Sequence, residues 1–338
     1  MKYLVRNSAL RELIVVLFAA IIIAIPWPDV FQEIYGYPLI DRTNYINYFL
    51  NKTSVLDRKV FDSFQSYITE EFLWHFCVGN LINKIGVPID LVFGIISFAT
   101  IYVFGRIITL HVGVLGLVLL INPLVIVLAF SQLRMALAAA ILGFAYLTRE
   151  KRSNLSIFLA ILTPFIHTAS VLFLAIYAAV LSMRWIVTSM SMRWIAIKNR
   201  QLVEIIGLLL VGATVSLLIG PLREFVLTCI GDRRAVYPDV SSSFAYSFFW
   251  ISLLVPLGLS YRRIRKYDYV RCTFVVLAVV VVNLTHGGYT TRFLAVFFPF
   301  IVASIFKIRS PISLPVILAF VCYAILQWLY WLRLLGGK

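Results

Sequence analysis

Charge is scarce in this chain. Only 13% of its 338 residues are Asp, Glu, Lys or Arg and 62% are hydrophobic, where an ordinary soluble domain carries about 25% charged residues. A water-soluble chain of this length needs more polar surface to cover its core, so the composition excludes that class. Nucleotide-binding glycine patterns are missing too. Without G-x-x-x-x-G-K-[ST] or G-x-G-x-x-G, an ATP-driven machine or a nucleotide-binding enzyme is disfavoured. No D-x-D pair offers a metal site, and the four cysteines (Cys77, Cys229, Cys272, Cys322) lack C-x-x-C spacing. No cofactor is therefore expected. No small-residue cleavage site follows the first apolar run, so the N-terminus, with Lys2, Arg6 and Arg11, reads as a retained helix. With no repeat, low-complexity linker or soluble segment, residues 1–338 read as a single integral membrane domain.

What the chain has is apolar length. Mean hydropathy is +0.95, and runs such as Leu13–Trp27 and Ile312–Trp331 lack the in–out alternation of barrel strands. Backbone groups in hydrocarbon must pair within their own segment, so these runs predict helices. The expected fold is all-α, a polytopic transmembrane bundle of about eleven spans with a polar external segment after the first helix.

The net charge of +15 is the usual sign of a nucleic-acid partner, but here the basic residues sit in short loops between apolar runs. That is the cytoplasmic-loop bias of membrane proteins, and no nucleic acid is implied. The clusters Arg149, Lys151, Arg152 and Arg262, Arg263, Arg265, Lys266, Arg271 are accordingly placed inside. The one acidic region lies in residues 28–88: between Pro28 and Glu71 there are seven acids against four Lys/Arg. It is placed outside, and its tyrosines suit either sugar stacking or the bilayer interface. Counting Phe72–Ile85 as a surface helix, Val112–Phe130 as an outward crossing and Leu155–Leu181 as a pair broken near Pro164 keeps the basic clusters inside. That count brings Arg134, His167 and Arg292 to the outer side.

Ionisable groups at a membrane are costly and mark candidate sites. Arg134 opens an alanine-rich helix, where a guanidinium adds to the positive helix end and suits an anion such as phosphate. It equally suits a lipid headgroup contact. His167 follows a proline break and can serve as a general base or simply tie the broken helix together. Arg292 closes His286-Gly287-Gly288-Tyr289-Thr290-Thr291-Arg292, where the glycines permit close approach to a ligand or a tight turn. His286 is a second possible base, and Asp41, Glu70 and Glu71 are candidate acids.

Gln132-Leu133-Arg134-Met135-Ala136-Leu137-Ala138, followed by Phe165-Ile166-His167-Thr168-Ala169-Ser170, resembles the Arg-helix and His-Ser block of the EpsG-like, Wzy-type polysaccharide polymerases. Asp41-Arg42-Thr43-Asn44-Tyr45-Ile46-Asn47-Tyr48 resembles that family's D-x-x-x-Y-x-x-Y opening, and Thr291-Arg292-Phe293 a late arginine. Glu70-Glu71-Phe72 stands where the family has a Glu-Pro step, without the proline. The resemblance covers about residues 40 to 306. It implies an O-antigen-type polymerase of the bacterial inner membrane, a metal-independent glycosyltransferase acting on an undecaprenyl-pyrophosphate-linked oligosaccharide among membrane lipids. It leaves room for a chain-length regulator as a partner. The implied catalytic residues are His167, Arg134 and Arg292; Asp41, Tyr45, Tyr48, Glu70, Glu71, His286 and Tyr289 would line the substrate site. A flippase for the same lipid-linked sugar and a membrane acyltransferase are the competing functions.

Overall fold

Proline decides where the first helix stops. Pro26 has no N–H to offer the carbonyl of Ile22, and the Trp27 indole supplies the missing donor at 2.8 Å. The chain bends there by 42° before continuing. The computed structural model describes residues 8–35, 39–50, 61, 63–189, 197–220, 222, 225, 228–229, 244–286, 290–308 and 311–331.

Every regular element among the described residues is helical. In chain order they are α1 (Ser8–Ala24), α2 (Trp27–Tyr35), α3 (Ile40–Leu50), α4 (Phe64–Thr69), α5 (Phe72–Asn83), α6 (Ile89–His111), α7 (Pro123–Phe130) and α8 (Leu133–Thr148). There follow α9 (Ser153–Leu162), α10 (Ser170–Ser189), α11 (Ile197–Ile219), α12 (Phe244–Ser252), α13 (Leu254–Ile264), α14 (Asp268–His286), α15 (Thr290–Phe306) and α16 (Ser313–Trp331). Short 3-10 turns occupy Val114–Leu120 and Thr163–Phe165.

Five of these, α6, α10, α11, α14 and α16, are long and apolar enough to cross a bilayer, and seven spans result if the bent pairs α1–α2 and α7–α8 each count as one. The protein is thus a multi-pass helical membrane protein. About eleven crossings were expected, and the described helices do not supply them. A crossing takes about 20 residues. Val112–Phe130, expected as one span, is a 3-10 turn followed by an eight-residue helix, and α9, α12 and α13 have only 10, 9 and 11 residues.

The chain packs as two compact units, residues 1–171 with 324–338, and residues 172–323. In the first, α6 packs against both α1 and α8. Glycines permit the approach: a Cβ on Gly105 would stand 2.9 Å from Val15 Cγ1, and one on Gly143 2.5 Å from Val103 Cγ1. Arg106 lies inside α6, where Glu12 of α1 neutralises it at 2.9 Å.

Between α7 and α8 the chain turns by 106°. Leu133 N–H donates to Ser131 O instead of Ala129 O, and Ser97 Oγ donates to the freed Ala129 carbonyl at 2.7 Å. One turn further along α6, Thr100 Oγ1 donates to Ala136 O at 3.1 Å. Asn122 caps α7 by accepting from Leu124 N–H at 3.0 Å. It also donates to Gln327 of α16 at 2.9 Å, while the Trp328 indole donates to Ile121 O at 2.8 Å.

The second unit is built around α14, which packs against α11, α12 and α15. Thr273 and Ser304 hydroxyls lie 2.9 Å apart between α14 and α15, and Ser216 of α11 bonds Asn283, which donates to Thr290 at 3.0 Å. An ionic cluster joins four helices. Arg271 donates to the fully buried Glu204 at 2.7 Å and to Asp268 at 3.0 Å. Arg184 reaches Asp268 at 3.2 Å and Arg265, following α13, reaches Glu204 at 3.6 Å.

Candidate functional site

The α4–α5 junction shapes the first component. Ser63 and Ser66 form a reciprocal cap at the start of α4. The helix closes at Glu70, and Glu71 then adopts the left-handed conformation, φ 53° and ψ 52°. Among the described residues it is the one non-glycine with positive φ. That conformation reverses the chain within one residue: Glu71 N–H donates to Ile68 O at 3.1 Å, and its carbonyl accepts from Trp74 N–H at 3.1 Å to begin α5. The side chain makes no cap bond to α5. It is 2% exposed, and its carboxylate meets residues 63 and 96 positions away.

Arg134 supplies the positive partner from the first turn of α8, just past the sharp bend. Its Nη1 donates to Glu71 Oε2, and its Nε donates to the Tyr45 hydroxyl of α3 at 3.0 Å. The side chain is 31% exposed, and among the described residues its Nη2 makes no hydrogen bond. The guanidinium is therefore half anchored and half available. Burial pushes the Tyr45 hydroxyl above its ordinary pKa, against the lowering effect of Arg134, so the phenol keeps its proton at neutral pH.

His167 arrives from the turn between α9 and α10. Pro164 lies in the 3-10 turn that ends α9, and His167 N–H closes back on Thr163 O at 2.9 Å. Its Nδ1 stands 2.8 Å from Glu71 Oε1. An ionised carboxylate has no proton to give, so Nδ1 is assigned as the donor. In the neutral ring this leaves Nε2 as the basic nitrogen. Thr168 fastens the same turn: its N–H donates to Glu71 Oε1 at 3.2 Å and its hydroxyl to Ile68 O at 3.1 Å.

One buried carboxylate thus holds a guanidinium on one oxygen and an imidazole on the other. The set lies within the first unit, which brings Arg134, His167, Glu71 and Tyr45 together. Glu70 and Glu71, adjacent in sequence, part company: Glu70 ends α4, half-buried, and Glu71 turns its carboxylate to Arg134 and His167. Asp41 of α3 is half-buried, and its negative charge acts on Tyr45 and Arg134. Tyr48 lies beside this group, its hydroxyl 3.0 Å from His75 Nδ1. Arg292 belongs to the second unit, half-buried in the first turn of α15. Tyr289 and the side chain of His286 fall outside the described residues.

Thr168 and His75 were not singled out for roles by the sequence, although Thr168 directly follows the histidine in the proline break. Among the described residues no group of three or more His, Cys, Asp or Glu could hold a metal ion. Against family models, curated proteins and solved structures, the chain matches none.

Proposed function

We propose that this protein is a membrane glycosyltransferase of the polysaccharide-polymerase kind, moving a growing glycan from a lipid pyrophosphate onto the next lipid-linked repeat unit. The observation that carries this reading is the convergence of Arg134 and His167 on the single buried carboxylate of Glu71. The bond that breaks joins the glycan's anomeric carbon to the pyrophosphate oxygen; the bond that forms joins that carbon to a hydroxyl of the acceptor sugar. His167 Nε2 takes the hydroxyl proton, and Glu71 holds the ring in the tautomer that can do so. The departing pyrophosphate keeps the electron pair, and its charge is met by the Nη2 face of Arg134. The donor already bears a good leaving group, which fits a chain without nucleotide-binding patterns.

In this proposal α3–α5 and the carboxylate site face the outer side of a bacterial inner membrane, where an undecaprenyl pyrophosphate headgroup lies, and the basic clusters face the cytoplasm. A chain-length regulator is a candidate partner. The discriminating experiment is a gel of surface polysaccharide from a deletion strain complemented with His167→Ala or Glu71→Gln. Caps of one repeat unit are expected with both. Complete loss of the polysaccharide would instead indicate a flippase. Normal length with altered acetylation would indicate an acyltransferase, and full-length polymer with His167→Ala would remove that residue as the base. Removal of such a base costs a factor of about 10²–10⁴ in rate.

A further inference from the structure

Helix α5 is inside out by the standards of a helix on a watery surface. Its inner face carries Glu71 at its start, then Trp74, His75 and Val78, all buried. Its outer face carries Phe76, Cys77 and Leu81, with Lys84 and Ile85 just beyond its end, all exposed. Phe76 is 47% and Ile85 69% exposed. Phe72 and Phe76 stack at 5.4 Å, extending the apolar strip back to the first turn, where Tyr67 and Phe61 join it. Polar groups on this outer face are confined to Asn80 and the terminal Asn83 and Lys84.

We infer that the outer face of α5 is immersed in the bilayer as a lipid-facing, non-crossing helix, so that the Glu71–Arg134 site stands beside hydrocarbon. Twelve residues span about 18 Å as a helix, too little for a hydrocarbon core of about 30 Å. A helix that exposes apolar side chains without crossing lies in the interface or re-enters from one side. The same reversal marks α16, an accepted candidate span, which exposes Leu314, Leu318 and Ile325. It also marks the start of α6, which packs against α5 and exposes Leu91 and Ile95. The apolar strip of α5 thus belongs to an element fastened to a candidate span. Lys84, at the helix end, has an alkyl stem long enough to carry its ammonium back to the headgroups. The occupant of this face is bilayer lipid, which distinguishes α5 from a segment merely projecting into water.

Cys77 sits on the face in question and gives a native probe. Cys229 and Cys322 are the other exposed cysteines among the described residues, and Cys272 is buried. The full-length protein with C229S and C322S is labelled at Cys77 with a nitroxide in detergent. It is then reconstituted into phosphatidylethanolamine–phosphatidylglycerol liposomes. Collision with oxygen, which partitions into lipid, is compared with collision with a water-soluble nickel chelate. Oxygen should exceed the chelate several-fold at position 77 and again at Leu81→Cys in a C77S background, with the ratio reversed at Glu150→Cys in the α8–α9 turn. Chelate access at 77 and 81 equal to that at 150 would overturn the inference, since the face would be in water. Low access to both reagents would overturn it as well, because a second protein surface would then cover the helix. Leu81→Cys decides the matter should Cys77 resist labelling. No substrate is present in this measurement, so its outcome is independent of the glycosyl-transfer proposal.

Discussion

Glu71 occupies a backbone conformation that costs an L-residue about 1–2 kcal/mol, and glycine would occupy it without strain. Its carboxylate is the reason for a side chain there. Breaking a buried ion pair by removing one partner is destabilising because the other charge is stranded. Arg134 is partly exposed, so the loss should be moderate: Glu71→Gln is expected to destabilise by about 2 kcal/mol, read from thermal unfolding in detergent. Removing both charges in Glu71→Gln with Arg134→Met should cost less than the sum of the single changes, by about 1 kcal/mol or more. Strict additivity would mean the pair contributes nothing. Arg134→Lys tests geometry at constant charge. A single ammonium cannot serve Tyr45, Glu71 and an anion with the fixed fork of a guanidinium. The polymer gel should show at least a tenfold loss with protein level unchanged, and wild-type length would show that only the charge matters.

At the scale of elements, close helix approach depends on particular glycines. A Cβ on Gly212 would stand 2.5 Å from the carbonyl oxygen of Val275 and 2.5 Å from Ala278 Cβ. The α11–α14 contact cannot absorb it without a backbone shift, and Gly212→Ala should lose about 1–3 kcal/mol. Gly94 of α6 has nothing within 4 Å of such a Cβ, so Gly94→Ala should be neutral or stabilising by up to about 1 kcal/mol. A fall in melting temperature for Gly212→Ala, with none for Gly94→Ala, would confirm the contrast. If both fell alike, helix packing would not be the cause.

Much of this layer is legible from residue order alone. Pro164 marks the break that presents His167, the alanines after Arg134 mark a packed helix, and long apolar runs mark α14, α15 and α16. The 106° bend between α7 and α8 is not legible, because the bonds that tolerate it come from Ser97 and Thr100 of another helix. The pairing of Arg106 is not legible for the same reason: its partner Glu12 lies 94 positions earlier on another helix. Nor does the Glu70-Glu71 pair announce which carboxylate turns inward. That choice goes with the left-handed backbone at Glu71, in a junction where α4 and α5 both pack against the distant 163–165 turn.

For the molecule as a whole, the two units have different supports. The second carries Glu204 and Arg271, both largely excluded from solvent, tying α11 to α14 with Asp268, Arg184 and Arg265 around them. Glu204→Gln leaves Asp268 as the charged partner of Arg271 among the described residues and should cost about 2–3 kcal/mol, below the loss for a fully stranded charge. Hydrogen exchange should rise in α10, α11, α13 and α14 while α1, α6 and α8 keep their protection. A uniform rise across the chain would contradict that assignment.

The first unit contains a helix end made long after the rest of it. Asn122 and Gln327 are 205 positions apart, so a ribosome adding about 5–20 residues per second needs roughly 10–40 s between them. Until then the Ile121 carbonyl lacks the Trp328 indole, and Trp27 lacks the ring it stacks on at 5.8 Å. The nascent protein therefore carries its carboxylate site for that interval on an unfinished scaffold, and its support is completed only by a segment translated 205 positions later.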